Sequence, residues 1–221
     1  SFVITAVLRD SNGNVVTTPN GATFLSSVPA VATVSAAGLV EVLSPSEFFL
    51  SERTQLASGS VVMPSIEGSR PILIELQALV VPTNFGVPRR TSQGVDANRV
   101  SLLVAVMEKR LGVHLNNQDI FLNIAGGIRV EEPGADLGVI AAISSSFKDK
   151  MIDPEMAVFG EVGLGGEVRG VSQPEVRVKE AARLGFKRIL LPKPNQEKVK
   201  GMKGIELIGV KTVGEAIEKL F

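Results

Sequence analysis

The chain has 221 residues, is 44% hydrophobic and balances 23 basic against 23 acidic residues. It has material for a core but no global positive field, so any hold on nucleic acid must come from a local patch. Cysteine is absent, which excludes a disulfide framework and a thiolate zinc site and fits a reducing, cytoplasmic setting. No apolar run approaches the roughly 20 residues of a membrane helix, and the N-terminus lacks the basic-then-apolar pattern of an export signal.

Residues 1–40 carry only Arg9 and Asp10 as charges. The alternation in Phe2–Leu8 predicts a strand, Asp10-Ser11-Asn12-Gly13-Asn14 a turn, and Ala30–Val34 another strand. Asn12-Gly13 is a hairpin signal, because a primed turn needs positive φ. Further on, Val61–Ile66 and Pro71–Val81 read as strands joined by Glu67-Gly68-Ser69-Arg70, followed by a polar loop over 82–93. Asp96 is placed to cap a helix over 98–111, with Val100, Leu103, Val104, Met107 and Leu111 at helical spacing and Gly112 as its stop. A strand is predicted at 120–124, a helix at 134–147 that is apolar nearly all round, and strands at 157–159 and 164–169 about a Gly-rich turn. Pro174 then opens a helix ending before Gly185, strands follow at 188–191 and 205–208, and a last helix covers 212–220. This order predicts an α/β (α+β) domain: a mixed sheet with helices packed on one side, preceded by a short β-rich segment.

The basic residues come mostly in small groups. Arg89-Arg90 lies in a polar loop beside Thr83, Asn84 and Thr91, where guanidinium groups can reach phosphates. Arg99, Lys109 and Arg110 are further DNA-binding candidates. No aromatic residue is interleaved with these charges, so the expected contact is backbone-directed and salt-sensitive. His114, the only histidine, follows a helix end and reads as a surface or packing residue. No acidic or histidine cluster has metal-ligand spacing. The glycines at 126–127 and 163–166 are turn chemistry, since neither run joins strand to helix with the Lys or Ser/Thr of a phosphate loop. Ser144, Ser145 and Ser146 lie two or more turns into a helix, a poor place for a nucleophile.

The turn Glu132-Pro133-Gly134-Ala135-Asp136-Leu137-Gly138, the Gly160-to-Val168 hairpin and the helix 174–184 occur in the same order as the Gly-Pro-Ser-Ala-Gly turn, Gly-Glu hairpin and lysine-bearing helix of the ATP-dependent Lon proteases, which this region resembles. The resemblance puts Asp136 under the catalytic serine and Arg177 under the lysine. Aspartate at neutral pH has no proton to give up and arginine cannot lose one, so a Ser-Lys mechanism fails at both partners. An Asp136–Arg177 salt bridge is the expected replacement. The nearest rival, Lys179, lies two residues along the helix and points to a roughly opposite side.

Ser44-Pro45-Ser46-Glu47-Phe48-Phe49-Leu50, Ala57-Ser58-Gly59-Ser60-Val61-Val62, Pro82-Thr83-Asn84-Phe85-Gly86-Val87-Pro88-Arg89-Arg90 and Asn98-Arg99-Val100-Ser101-Leu102-Leu103 resemble the bacterial RadA (Sms) DNA-repair family through to Phe221. That resemblance implies a Lon-like domain without protease residues, acting as a scaffold and DNA-binding surface beside an ATPase that drives branch migration. It implies assembly as a ring, a hexamer, on single-stranded or branched DNA. The family's ATP, magnesium and zinc belong to an ATPase core and zinc finger whose motifs are absent from this chain, so no cofactor is expected here. Residues 1–40, with Asp10-to-Val16, Ser27-to-Ser35 and Ala37-to-Val40, resemble a fragment of the bacterial Ig-like domains of surface adhesins. They are expected to be a foreign lead before a Lon-like domain at 41–221. Two alternatives stay open: a Ser-type peptidase of Lon-like fold with another nucleophile, and an oligomerisation module without DNA contact.

Overall fold

The computed structural model describes residues 32–34, 40–42, 46, 50, 57–68, 70–84 and 86–221. The strand expected at Phe2–Leu8, the turn at Asp10–Asn14 and most of the Ser44–Leu50 motif lie outside these residues. The chain divides into two compact units, Ser1–Phe48 and Phe49–Phe221. In the first, the described part is an antiparallel pair, β1 (Ala32–Val34) with β2 (Val40–Val42), in the register Thr33 opposite Glu41.

The second unit is built on a seven-stranded mixed sheet. Its strands are β3 (Ser60–Glu67), β4 (Arg70–Pro82), β5 (Arg90–Gln93), β6 (Gln118–Ile124), β7 (Met156–Val158), β10 (Arg188–Pro192) and β11 (Glu206–Val210), in the order β11-β10-β7-β3-β4-β6-β5. The β11, β10, β7 and β3 strands run parallel, β4 is antiparallel to both neighbours, and β5 lies parallel to β6 at the edge. A short hairpin, β8 (Glu161–Val162) with β9 (Val168–Arg169), stands apart from the sheet.

Alternation along β3 and β4 sends side chains to two cores. Val61, Met63, Ile74 and Leu76 face α1 (Ala97–Leu111), α2 (Asp136–Lys148) and α5 (Val213–Leu220). Val62 and Leu73 join Ala157, Ile189 and Leu191 against α3 (Pro174–Arg183) and α4 (Lys193–Val199). The helices therefore lie on both faces, not the single side expected. The physical reason is the parallel half of the sheet, whose crossovers cover both faces and whose strands are apolar at consecutive positions, as at Ile189, Leu190 and Leu191.

Two devices set the site. Asp96 accepts from the Arg99 N–H at 2.8 Å and Gly112, at φ 67°, ends α1 in the left-handed region, so this helix has defined limits. On α2, Gly138 allows close approach to β3: an added Cβ there would stand 3.2 Å from the Met63 sulfur. Asp136 is consequently held at the start of a helix pressed onto the sheet. No helix among the described residues is long and apolar enough to cross a membrane.

Candidate functional site

The turn 132–138 is tied to the end of β7. The Gly160 N–H donates to the Gly134 carbonyl at 2.9 Å and the Leu137 N–H to the Gly160 carbonyl at 3.0 Å. A 3-10 turn at Pro133–Ala135 runs into α2, whose first residue is Asp136. Asp136 is 2% exposed. Its carboxylate accepts from the Arg99 Nε at 2.8 Å, from a second Arg99 nitrogen, and from the Val162 N–H at 2.9 Å. Arg99 also donates to the Val162 carbonyl at 3.1 Å. The hydrogen bond to Asp136 raises the Arg99 pKa against the opposing effect of burial. One acid thus joins α1, α2 and the β8–β9 hairpin. The partner of Asp136 is not Arg177 but Arg99, because Arg99 reaches across from α1 while Arg177 is already engaged.

Arg177, fully buried on α3, forms a pair with Glu132. One terminal nitrogen donates to Glu132 Oε1 at 2.8 Å and to the Pro64 carbonyl at 2.8 Å; the other reaches Oε2, and Nε donates to the Ser172 carbonyl at 3.0 Å. The guanidinium carbon lies 5.6 Å from the Phe159 ring centre. Glu132 also accepts from the Ser65 hydroxyl at 2.7 Å and the Ile66 N–H at 2.9 Å. Burial pushes the Glu132 pKa up, yet the hydrogen bond and charge of Arg177, with Ser65 and Ile66, outweigh it and leave it below its ordinary value.

The placement has a structural logic. β7 pairs with β3 only through Val62, so among the described residues no strand lies beside the β3 edge beyond it. The Pro64 carbonyl and the Ile66 N–H, two residues apart, are met by Arg177 and Glu132 as a neighbouring strand would meet them. Pro64 is tolerated inside β3 for the same reason, since no neighbour needs an N–H from it there.

Asp136 and Arg177, each held in an ion pair, offer neither a nucleophile nor a removable proton. The other serines do not replace them. The Ser145 hydroxyl accepts from the Gly59 N–H at 2.8 Å and donates to the Lys150 carbonyl at 2.5 Å, and the Ser146 hydroxyl accepts from the Val80 N–H at 2.9 Å. Ser144 is buried with an unpartnered hydroxyl. The nearest cation along its helix, Lys148, lies over the Phe221 ring, 5.6 Å from its centre. Among the described residues, no group of three or more acidic or histidine side chains could hold a metal ion.

The five DNA-binding candidates separate into two sets. Arg89 donates to the buried Asp119 from its backbone N–H at 2.9 Å, from Nε at 3.0 Å and from a terminal nitrogen at 2.7 Å. These bonds, the backbone one foremost, lower the Asp119 pKa to about 2. Arg90 donates to the Leu115 carbonyl at 2.8 Å and to that of Gln118, and Arg99 holds Asp136. Lys109 and Arg110 stand exposed on the last turn of α1. An aromatic does accompany the charges: Phe121, remote in sequence, carries the Arg89 guanidinium 5.6 Å above its ring centre, because β6 runs beside the Arg89 backbone. Sequence reasoning missed Glu132. The signal available was an acid in the same turn as Asp136, which a buried arginine requires.

Residues 98–221 match the model of the Lon protease (S16) C-terminal proteolytic domain. The chain is similar to the DNA repair protein RadA of Bacillus subtilis (55% identity over 180 residues, 81% of this chain and 39% of that protein). It is likewise similar to the DNA repair protein RadA of Listeria monocytogenes (52% over 182 residues, 82% and 40%) and of Streptococcus pyogenes serotype M1 (52% over 184 residues, 83% and 41%). It spans about two fifths of the length of these curated relatives. The chain belongs to the family of the Lon protease (S16) C-terminal proteolytic domain, in the form carried by RadA-type DNA-repair proteins.

Proposed function

We propose that this domain is a non-proteolytic platform of a RadA-type DNA-repair protein, which self-associates as a hexameric ring and lies against single-stranded or branched DNA beside a motor that drives branch migration in the cytoplasm. The observation that supports the inert half of this reading is that Asp136 and Arg177, which the resemblance puts under the serine and the lysine, are held in separate ion pairs, with Arg99 and with Glu132. A pocket so filled keeps the fold's framework and has no reacting group. The DNA half is supported by the similarity to DNA-repair proteins and by the exposed cations of the α1 end, Lys109 and Arg110. The domain is proposed to bring no cofactor of its own.

Light scattering of the chain, with filter binding of single-stranded and branched DNA at low and moderate salt, tests the proposal. A sixfold mass and retention that weakens in Lys109→Ala/Arg110→Ala support it; a monomer with no retention at either salt removes it. Covalent labelling by a serine-directed fluorophosphonate at Ser144, Ser145 or Ser146 would restore the peptidase reading. A ring without DNA retention would leave a pure oligomerisation module, a reading favoured by the intramolecular partners of Arg89, Arg90 and Arg99.

A further inference from the structure

The helices α3 and α4 cover their face of the sheet as far as Leu73 of β4. Further along that strand Gln77 is exposed and Leu79 is 55% exposed. Strand register sorts the side chains of β4, β6 and β5 on this face into three rows, roughly 6.6 Å apart along the strands. Gln77, Asn123 and Gln93 form a row of amides, and Leu79, Phe121 and Thr91 form the next. In the third, Val81 stands opposite Asp119, whose carboxylate holds the Arg89 guanidinium. A surface cavity of about 410 Å³ lies over the first two rows.

The chemistry of the rows selects an occupant. Among the described residues, no hydrogen bond engages the side-chain amides of Gln77, Asn123 or Gln93, so each keeps its donors and its acceptor for a ligand. Phe121 is half-buried beneath the Arg89 guanidinium. Arg89 is 71% exposed and gives Asp119 its Nε and one terminal nitrogen, which leaves the other terminal nitrogen over. The one acid in the rows, Asp119, is 3% exposed, so the face shows a cation and no exposed anion. A flat apolar strip between hydrogen-bonding amides and a guanidinium matches a nucleobase joined to its phosphate. A free nucleotide would lose little surface on a face without walls, whereas a strand gains contact by running on across it. Leu79 and Phe121 are too few to form the apolar centre of a stable protein interface.

We infer that this face binds unpaired bases of single-stranded DNA. A base lies on Leu79 and Phe121, the amide row meets its edge, and Arg89 takes the flanking phosphate or stacks on the base. The inference rests on the DNA reading above and assigns base contact to a surface distinct from the α1 end.

The test is fluorescence anisotropy of the intact chain with a fluorescein-labelled oligothymidylate, against an abasic strand of equal length, which has the same phosphates and no bases. The expected result is saturable binding of the oligothymidylate and at least tenfold weaker binding of the abasic strand. Phe121→Ala should weaken the oligothymidylate roughly tenfold or more, as loss of a stacking contact does. Leu79→Asp, at an exposed position, should weaken it as much with circular dichroism and thermal midpoint unchanged, and it decides the matter where Phe121→Ala fails to fold. DNA binding that is equal for the abasic strand, or that responds to Lys109→Ala/Arg110→Ala but not to Leu79→Asp, overturns this inference and leaves the DNA reading standing. A Leu79→Asp variant that changes the mass by light scattering but not the DNA affinity also overturns it, by making the face a protein contact. Absence of binding to either strand and to branched DNA overturns both.

Discussion

The two ion pairs of Asp136 and Arg177 do different work. Arg99–Asp136 closes over the rim: the arginine side chain is 34% exposed, and the pair ties together two helices and a hairpin. Arg177–Glu132 runs inward: the arginine is 0% exposed, and the pair completes the hydrogen bonding of a strand edge. A fastener between elements can loosen without opening the core. A charge that stands in for a missing strand cannot. One of these two ion pairs is therefore an adjustable contact and the other a structural centre.

The largest effect that could break this comparison is at Arg177. Arg177→Met leaves the half-buried Glu132 without its cation, held only by Ser65 and Ile66, and leaves the Pro64 and Ser172 carbonyls unmet; breaking such a pair from the side of its fully buried partner costs about 3–5 kcal/mol. The urea midpoint should fall accordingly, and a loss under about 1 kcal/mol would mean that the β3 edge is satisfied in another way. Arg177→Lys should lose less, since a lysine keeps the charge but not the fork that meets Glu132, Pro64 and Ser172 together.

Arg99→Ala comes next, at about 2–3 kcal/mol. It strips both charged hydrogen bonds from the buried Asp136, but the Val162 N–H still meets that carboxylate and water can enter where the one-third-exposed arginine stood. Hydrogen exchange should rise in the β8–β9 hairpin more than in β3. Equal change in both regions would erase the distinction between fastener and centre.

Acid sharpens the same contrast. The folded-state pKa of Glu132 lies below its ordinary value, so in the relevant window the unfolded chain binds more protons. The contribution is complete above the unfolded value, about 4.3, and disappears as pH falls through the folded-state value. Glu132→Gln should start from a lower urea midpoint near neutrality and lose less of it on going from pH 5 toward pH 3. Parallel acid slopes in the two proteins would remove Glu132 as a source of the acid sensitivity. Asp119, lowered to about 2 by Arg89, has the same sign.

Local chemistry made much of this fold readable. Asp96, Gly112, Pro174 and Gly185 are helix punctuation whose effect lies within a turn, and α1 and α3 begin and end within a residue or so of where they were expected. The edge strand β5 was not legible because Arg90–Gln93 has no apolar alternation; the β6 backbone holds it. The helix α4 was missed for a similar reason: its first turn is Lys193-Pro194-Asn195-Gln196, and Val199 is its only buried apolar residue. The turn of Asp136 and the helix of Arg177 stood out because their residue identities resemble the family's motifs. The pairing of the two side chains was not legible. Glu132, Arg99 and Phe159 reach Asp136 and Arg177 only through packing of separate elements.

The smallest expected effect decides whether Arg177 is special or merely one cation on a basic helix. Lys179 shares α3 and the same sign of charge, and it lies exposed where Arg177 is buried. About 200° of helical rotation separates two residues at this spacing, so the two side chains leave opposite sides of α3. Lys179→Ala should change stability by no more than about 0.5 kcal/mol, the range of surface substitutions away from any partner. A larger loss would mean that α3 depends on positive charge in general, and that the Glu132 pair is one part of a diffuse field. A neutral result beside a severe Arg177→Met assigns the cost to the fork between Glu132 and the edge of β3.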